Sequence, residues 1–126
     1  MQKHSAIKVS NLKKTYGQTQ KLALDGINID IPYGSIFGLL GPNGAGKSTF
    51  INILGGLTNK TSGTVEICGI NIDVDPKTAR GTIGVVPQEI IIDPFFSPIE
   101  IMNIQAGLYG IKKKEMKNFE ILDKLN

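Results

Sequence analysis

Cysteine is nearly absent from this sequence. Cys68 is the only one in 126 residues, so an internal disulfide is impossible and a disulfide scaffold is excluded. That usage suits a reducing compartment. Histidine is equally scarce, with His4 alone near the start, where a solvated side chain is expected. No histidine neighbours Cys68 in sequence, so the thiol reads as a small filler at a strand end and not as a nucleophile. Long apolar runs are also missing. Stretches such as 36–40 are far too short to cross a bilayer. The first ten residues lack an apolar core segment of the kind a secretory signal needs. There is no internal repeat, low-complexity tract or linker. With 14 basic and 11 acidic residues the net charge is only +3, part of it from Lys112, Lys113 and Lys114. Those lysines read as a solvated helix start. A nucleic-acid partner would need a broader basic face and is not expected.

What is present is ordinary globular material, 40% apolar and 20% charged, enough for one compact domain or a piece of a larger one. Glycine is in excess, 15 residues against a usual share of about 7%, and belongs in turns and close-approach loops. Ala6, Ile7, Lys8 and Val9 begin a short alternation, and 11–16 continue polar. Leu22, Leu24, Ile27, Ile29 and Ile31 recur mostly at period two, which predicts a strand or hairpin with one buried face. Pro32, Tyr33 and Gly34 form a turn. The nearly all-apolar run 35–40 predicts a strand covered on both faces. After a glycine-rich break, Phe50, Ile51, Ile53, Leu54 and Leu57 trace a helix that ends near Gly55 and Gly56. Residues 64–67 and 83–86 predict two more strands, with a short helix after Asp75 and Pro76 between them. Ser97, Pro98 and Glu100 have capping-box spacing for a helix reaching Tyr109 and stopped by Gly110. From Lys112 a further helix is expected, with Met116, Phe119, Leu122 and Leu125 along one side.

The chemistry concentrates in Gly41-Pro42-Asn43-Gly44-Ala45-Gly46-Lys47-Ser48, which satisfies the phosphate-loop pattern and lies between a predicted strand and a predicted helix. A helix start offers unpaired backbone N–H groups and the positive end of a dipole to an anion. The loop must bend until its amides converge, and side chains at Gly44 and Gly46 would block the approach. Lys47 suits the β- and γ-phosphates as a mobile cation, and the Ser48 hydroxyl suits Mg2+. Thr49 can add a hydrogen bond near the α-phosphate. The run Ile90-Ile91-Ile92-Asp93 imitates a metal-binding strand, but it follows Pro87-Gln88 directly and is broken by Pro94. It reads as a continuation of the segment around Gln88.

The segment 38–49 resembles the Walker A sequence of the ABC (ATP-binding cassette) ATPases. Leu24-Asp25-Gly26-Ile27 and Pro32-Tyr33-Gly34 resemble that family's lead-in strands, Ser62-Gly63-Thr64-Val65 the strand after the first helix, and Val85-Val86-Pro87-Gln88-Glu89 its Q-loop. The resemblance runs in family order from about Ile7 to Asn126. It implies an α/β fold, a P-loop NTPase core as part of an ABC nucleotide-binding domain. That part would comprise an antiparallel β lead-in, an incomplete parallel core sheet and helices. The ATP-binding core would span 1–93 and the start of the helical subdomain 94–126. ATP and Mg2+ are the implied cofactors, with Gly41, Asn43, Gly44, Ala45, Gly46, Lys47, Ser48 and Thr49 around the phosphates. Tyr16 would stack on adenine, a role for which any flat ring serves with little base choice. Gln88 would touch the metal and the attacking water, so Lys47 and Gln88 are the implied catalytic residues, and Ser48 and Gln88 the metal ligands.

No stretch matches the family's signature motif, its Walker B aspartate with the following glutamate, or its switch histidine. The last predicted helix ends at Asn126 in mid-pattern. The expectation is therefore the front half of a cassette, binding ATP with little or no hydrolysis, since no carboxylate stands ready as general base. The complete domain would be an ATPase subunit of a transporter, cytoplasmic and held at the inner face of a membrane by its partner. The implied partners are transmembrane permease subunits, which the family contacts through the region 94–109, and a second nucleotide-binding domain. Residues 106–111 resemble exporter-type cassettes more than importers. The rival expectations are a non-transport ABC ATPase, of translation or DNA-repair type, and a nucleotide-binding module without turnover.

Overall fold

A computed structural model of the full sequence describes residues 5–17, 21–89 and 93–125. His4 and the run 90–92 lie outside the described residues. The chain divides into two compact units, Met1–Val85 and Val86–Asn126.

The first unit is built on four antiparallel strands in the order β2-β1-β3-β4: β1 (Ser5–Tyr16), β2 (Lys21–Pro32), β3 (Ser62–Ile67) and β4 (Ile70–Asn71). Val9 and Leu12 of β1 are both buried although three residues apart, a spacing that puts side chains on opposite faces of a regular strand. A bulge reconciles them. Asn11 is the extra residue of β1 against both β2 and β3, with φ +48, and its backbone is held by the partner strands. Its N–H donates to Asn28 Oδ1 at 2.9 Å, and a Cβ on Gly63 would strike its carbonyl. The sequence pattern alone reads 11–16 as merely polar; the bulge makes it strand.

Helix α1 (Lys47–Leu54) lays Phe50, Ile53 and Leu54, one helical stripe, on Val9, Leu12, Leu24, Val65 and Ile67 of the sheet, and Ala79 of α2 (Pro76–Gly81) completes the cluster. Each of the Val, Leu, Ile and Phe side chains contributes about 1.5–3 kcal/mol by leaving water. The C-terminus of α1 closes in a Schellman arrangement: Gly56 (φ +72) donates to the Ile53 carbonyl and Leu57 to that of Asn52. Asp75 caps α2 by accepting from the Thr78 N–H at 3.0 Å. Between β3 and β4, Cys68 (φ +53) and Gly69 (φ +77) form a two-residue turn with both at positive φ, as a type I′ turn requires. Cys68 is therefore a turn corner and not only a strand-end filler.

Two expected strands are not formed. Among the described residues every strand pairing is antiparallel, and neither 35–42 nor 83–87 forms a strand. Ile36 is 104% exposed, Leu40 94% and Val86 93%, the reverse of strands covered on both faces. An apolar run becomes a strand only when neighbours supply hydrogen bonds on its edges and layers on its faces. Leu39 and Ile83 alone reach back to the core cluster.

In the second unit, α3 (Pro98–Leu108) begins as expected: Ser97 donates from its N–H (2.8 Å) and its hydroxyl (2.6 Å) to the Glu100 carboxylate. It ends in a second Schellman arrangement, Gly110 donating to Gly107 and Ile111 to Ala106. The helix expected from Lys112 onward is corrected. A single 3-10 turn (Lys113–Glu115) stops at Met116, whose ψ is +128, and α4 (Asn118–Asp123) starts afresh. Asn118 is buried and donates to Asn103 of α3 at 2.8 Å, so α4 is registered by an amide pair, while Phe119 and Leu125 stay exposed.

Candidate functional site

The loop 41–46 turns tightly, with the Ala45 N–H donating to the Pro42 carbonyl at 3.2 Å, and then passes through Gly44 (φ +83) and Gly46 (φ +91) into α1. Gly46 is the N-cap, and no side chain caps this helix end; nor does an acidic residue stand in its first turn. The start of α2 carries a side-chain cap, Asp75, and that of α3 both a capping box and an acidic first turn. The first-turn amides of α1 have no intrahelical acceptor by geometry, and they sit at the positive pole of the helix. No acidic side chain in that turn competes with an incoming anion.

Two features hold the loop in this shape. The first is a bulge in β2. The register steps from Lys14↔Leu24 to Thr15↔Leu22, so Ala23 is the extra residue. Its carbonyl lies where it would be only 2.5 Å from a Cβ on residue 46, and Leu24 Cδ2 would be 2.7 Å away. The bulge thus backs the loop and admits only glycine. The second is Lys47, whose ammonium donates to the carbonyls of Gly41 (2.6 Å) and Pro42 (2.7 Å). An ammonium has three donors, so one remains once these two are placed. By contrast a Cβ on Gly44 would meet nothing within 4 Å, so the space above the loop is open. Asn43 and Ser48 are exposed beside it, and Thr49 is half-buried.

Tyr16 ends β1, opposite Lys21, and is 43% exposed. The same hairpin end carries Ala23 and Leu24, so the edge that bears Tyr16 is the one that backs the phosphate loop. The ammonium of Lys14 lies 4.7 Å from the centre of the Tyr16 ring. Neither Ala23 nor Lys14 is singled out by the sequence. Lys14 could have been, because residues two apart share a strand face; Ala23 could not, because a bulge leaves no mark in composition.

Comparison with known proteins decides the affiliation. The profile of the family described as "ABC transporter" matches residues 24–126. The chain belongs to that family. Similar curated proteins include the Nod factor export ATP-binding protein I of Cupriavidus metallidurans, 39% identical over 110 residues covering 87% of this chain and 36% of that protein. The linearmycin resistance ATP-binding protein LnrL of Bacillus subtilis is 39% identical over 111 residues, covering 88% and 35%. The chain thus spans about a third of the length of these relatives. Among solved structures, an ATP-binding subunit of an ABC transporter superposes with TM-score 0.76 at 26% identity over 87% of this chain and 45% of that one. An ATP-binding cassette dimer bound to ADP and Pi superposes with TM-score 0.72 at 30% identity over 90% and 51%. The fold is therefore that of the ABC P-loop ATPases, the antiparallel lead-in included.

Of the ABC residues expected at the site, 41–49 are assembled around the start of α1, and Tyr16 shares their backing hairpin. Gln88 belongs to the second unit, exposed in a bend. Asp93 holds its own turn: its Oδ1 accepts from the Phe95 N–H at 3.0 Å and its carbonyl from Phe96. Among the described residues no group of three or more His, Cys, Asp or Glu is placed to hold a metal, and no helix is long and apolar enough to cross a membrane. At the far end of α1 a cavity of about 350 Å3 opens beside Leu54, Lys60, Asp73 and Arg80, with Lys60 and Asp73 paired at 2.8 Å. It is apart from the phosphate loop.

Proposed function

We propose that this chain binds MgATP as the nucleotide-binding part of an ABC transporter ATPase. The observation that carries the reading is the helix start at Lys47, bare of side-chain cap and acidic residue and fronted by a loop whose last residue, Gly46, has no room for a side chain. The triphosphate would lie over 41–46, received by the amides of Gly44, Ala45, Gly46, Lys47, Ser48 and Thr49. Asn43 lines the open side of the turn. Lys47, already fixed on two loop carbonyls, would turn its third N–H to the β- and γ-phosphates; the charge is then positioned before the ligand arrives. The Ser48 hydroxyl fits Mg2+, a hard cation that takes oxygen ligands, and would hold it; by the family resemblance the Gln88 side-chain oxygen would be the second ligand in the complete cassette. Bound there, the ion neutralises charge between the phosphates. Tyr16 would supply the adenine platform. With Gln88 orienting water, hydrolysis belongs to the complete cassette, and binding with little turnover to these 126 residues.

The relatives' names, an export protein and a resistance protein among them, support coupling of this ATP chemistry to transport, in the export direction. Transmembrane permease subunits and a second cassette would be the partners, with the chain at the cytoplasmic face through them. The cassette dimer among the similar structures supports the second of these.

The test is calorimetric titration of the 126-residue chain with MgATP. Lys47→Ala should cost about 1.5–3 kcal/mol of affinity, the value of a charge-assisted contact. Unchanged affinity in a folded Lys47→Ala chain would falsify the reading. Phosphate release measured on the same samples separates binding from turnover.

A further inference from the structure

Lys13 and Lys14 are neighbours on β1 with different fates. Lys13 faces the Asp25 carboxylate at 3.6 Å. Lys14 has no carboxylate partner among the described residues; its ammonium lies over the Tyr16 ring, 4.7 Å from the centre. Residues two apart on a strand share a face, so the contact follows from the backbone. A cation over one face of an aromatic ring is attracted to its electron density, holds the ring's orientation and occupies that face. Tyr16 itself is 43% exposed, so the ring stays accessible to a ligand.

We propose that Lys14 is a positioning residue for the base of the nucleotide: it fixes the Tyr16 ring from one side so that adenine stacks on the other. This rests on the adenine role proposed for Tyr16. The drain of ring electron density toward the ammonium also favours stacking on an electron-rich purine, since offset π-systems attract through complementary charge distributions. Lys14 acts through the ring and not on the phosphates, which lie with Lys47.

Equilibrium binding of MgATP and of tripolyphosphate to the full chain tests this, using Lys14→Met, Lys14→Gln, Lys14→Arg, Tyr16→Ala and the Lys14→Met/Tyr16→Ala pair, each checked for folding by circular dichroism. Loss of a cation–π contact at an exposed ring corresponds to about a 2- to 5-fold loss of ATP affinity in Lys14→Met and Lys14→Gln. Lys14→Arg should retain wild-type affinity, and tripolyphosphate binding should stay level in all three. In the Tyr16→Ala background, Lys14→Met should add nothing. Equal losses for ATP and tripolyphosphate, or a Lys14→Met effect that survives removal of the ring, would make Lys14 a direct phosphate contact and overturn the proposal. If Tyr16→Ala weakens ATP while the Lys14 variants do not, the proposal fails and the adenine role stands. If Tyr16→Ala leaves ATP binding unchanged, the adenine role itself fails, and Lys14 with it.

Discussion

At the scale of single residues, Gly44 and Gly46 separate two reasons for glycine in a phosphate loop. Both sit at positive φ, +83 and +91. Only Gly46 is hemmed in, by the Ala23 carbonyl and Leu24; a Cβ at Gly44 would point into open space. Gly46→Ala should therefore destabilise the fold by about 1–3 kcal/mol, because the strained backbone and the clash with β2 both count. Gly44→Ala should cost about 1–2 kcal/mol for the backbone alone while putting a methyl where phosphate must approach. Thermal denaturation with and without MgATP separates them. The ligand should still raise the Tm of Gly46→Ala and fail to raise that of Gly44→Ala; a reversed pattern would show that the cradle opens on the other side. The glycines are legible in the sequence because spacing fixes them. Their partner is not: the Ala23 carbonyl arrives through a strand bulge, a matter of register between β1 and β2. The Tyr33 hydroxyl is a similar case. Its hydrogen bond with Cys68 raises its pKa, and the contact joins two turns that are 35 residues apart in sequence.

At the scale of elements, local chemistry was legible wherever a cap carried it. Asp75, Pro98, Glu100 and Gly110 mark helix ends that the structure places where the sequence put them. Two of these caps also titrate. The hydrogen bonds from Thr78 to Asp75, and from Ser97 to Glu100, hold both carboxyls below their ordinary values. A carboxyl lowered in the folded state contributes stability above its unfolded pKa, and that contribution is lost as pH falls through the folded value. The loss should begin near pH 4, where ordinary carboxylates titrate, and deepen below it. Asp75→Asn and Glu100→Gln keep an acceptor but no charge. In far-UV circular dichroism, the double variant should show a shallower loss of helix below pH 4 than the wild type, with little change at pH 7. An identical acid limb in the two would mean the caps do not govern it. The break at Met116 was not legible. The apolar spacing from Met116 to Leu125 fits one helix, but the Asn103–Asn118 amide pair sets where α4 starts, and such a pairing has no sequence period.

At the scale of the whole molecule, the pattern at 35–40 and 83–86 reported what a strand would need, not what the chain supplies. Apolar composition records the environment for which a segment is built. Pairing depends on neighbours, and among the described residues the sheet that forms is β2-β1-β3-β4 alone. The result is a molecule whose antiparallel half is well packed, with Leu12, Ile53, Val65 and Ile67 fully enclosed, while Ile36, Leu40 and Val86 face solvent. Extended backbone without a ladder partner, carrying apolar side chains, is a template for pairing with another chain. Sedimentation velocity of the 126-residue chain should accordingly show association that grows with concentration. Ile36→Lys together with Val86→Lys should suppress it, because charge on such a segment opposes pairing and neither residue packs in the core. The same variants should keep the MgATP affinity of the wild type, since neither residue lies within 41–49. Association unchanged by both charges would place the contact elsewhere on the surface and show that these two segments are tolerated by solvent as they stand.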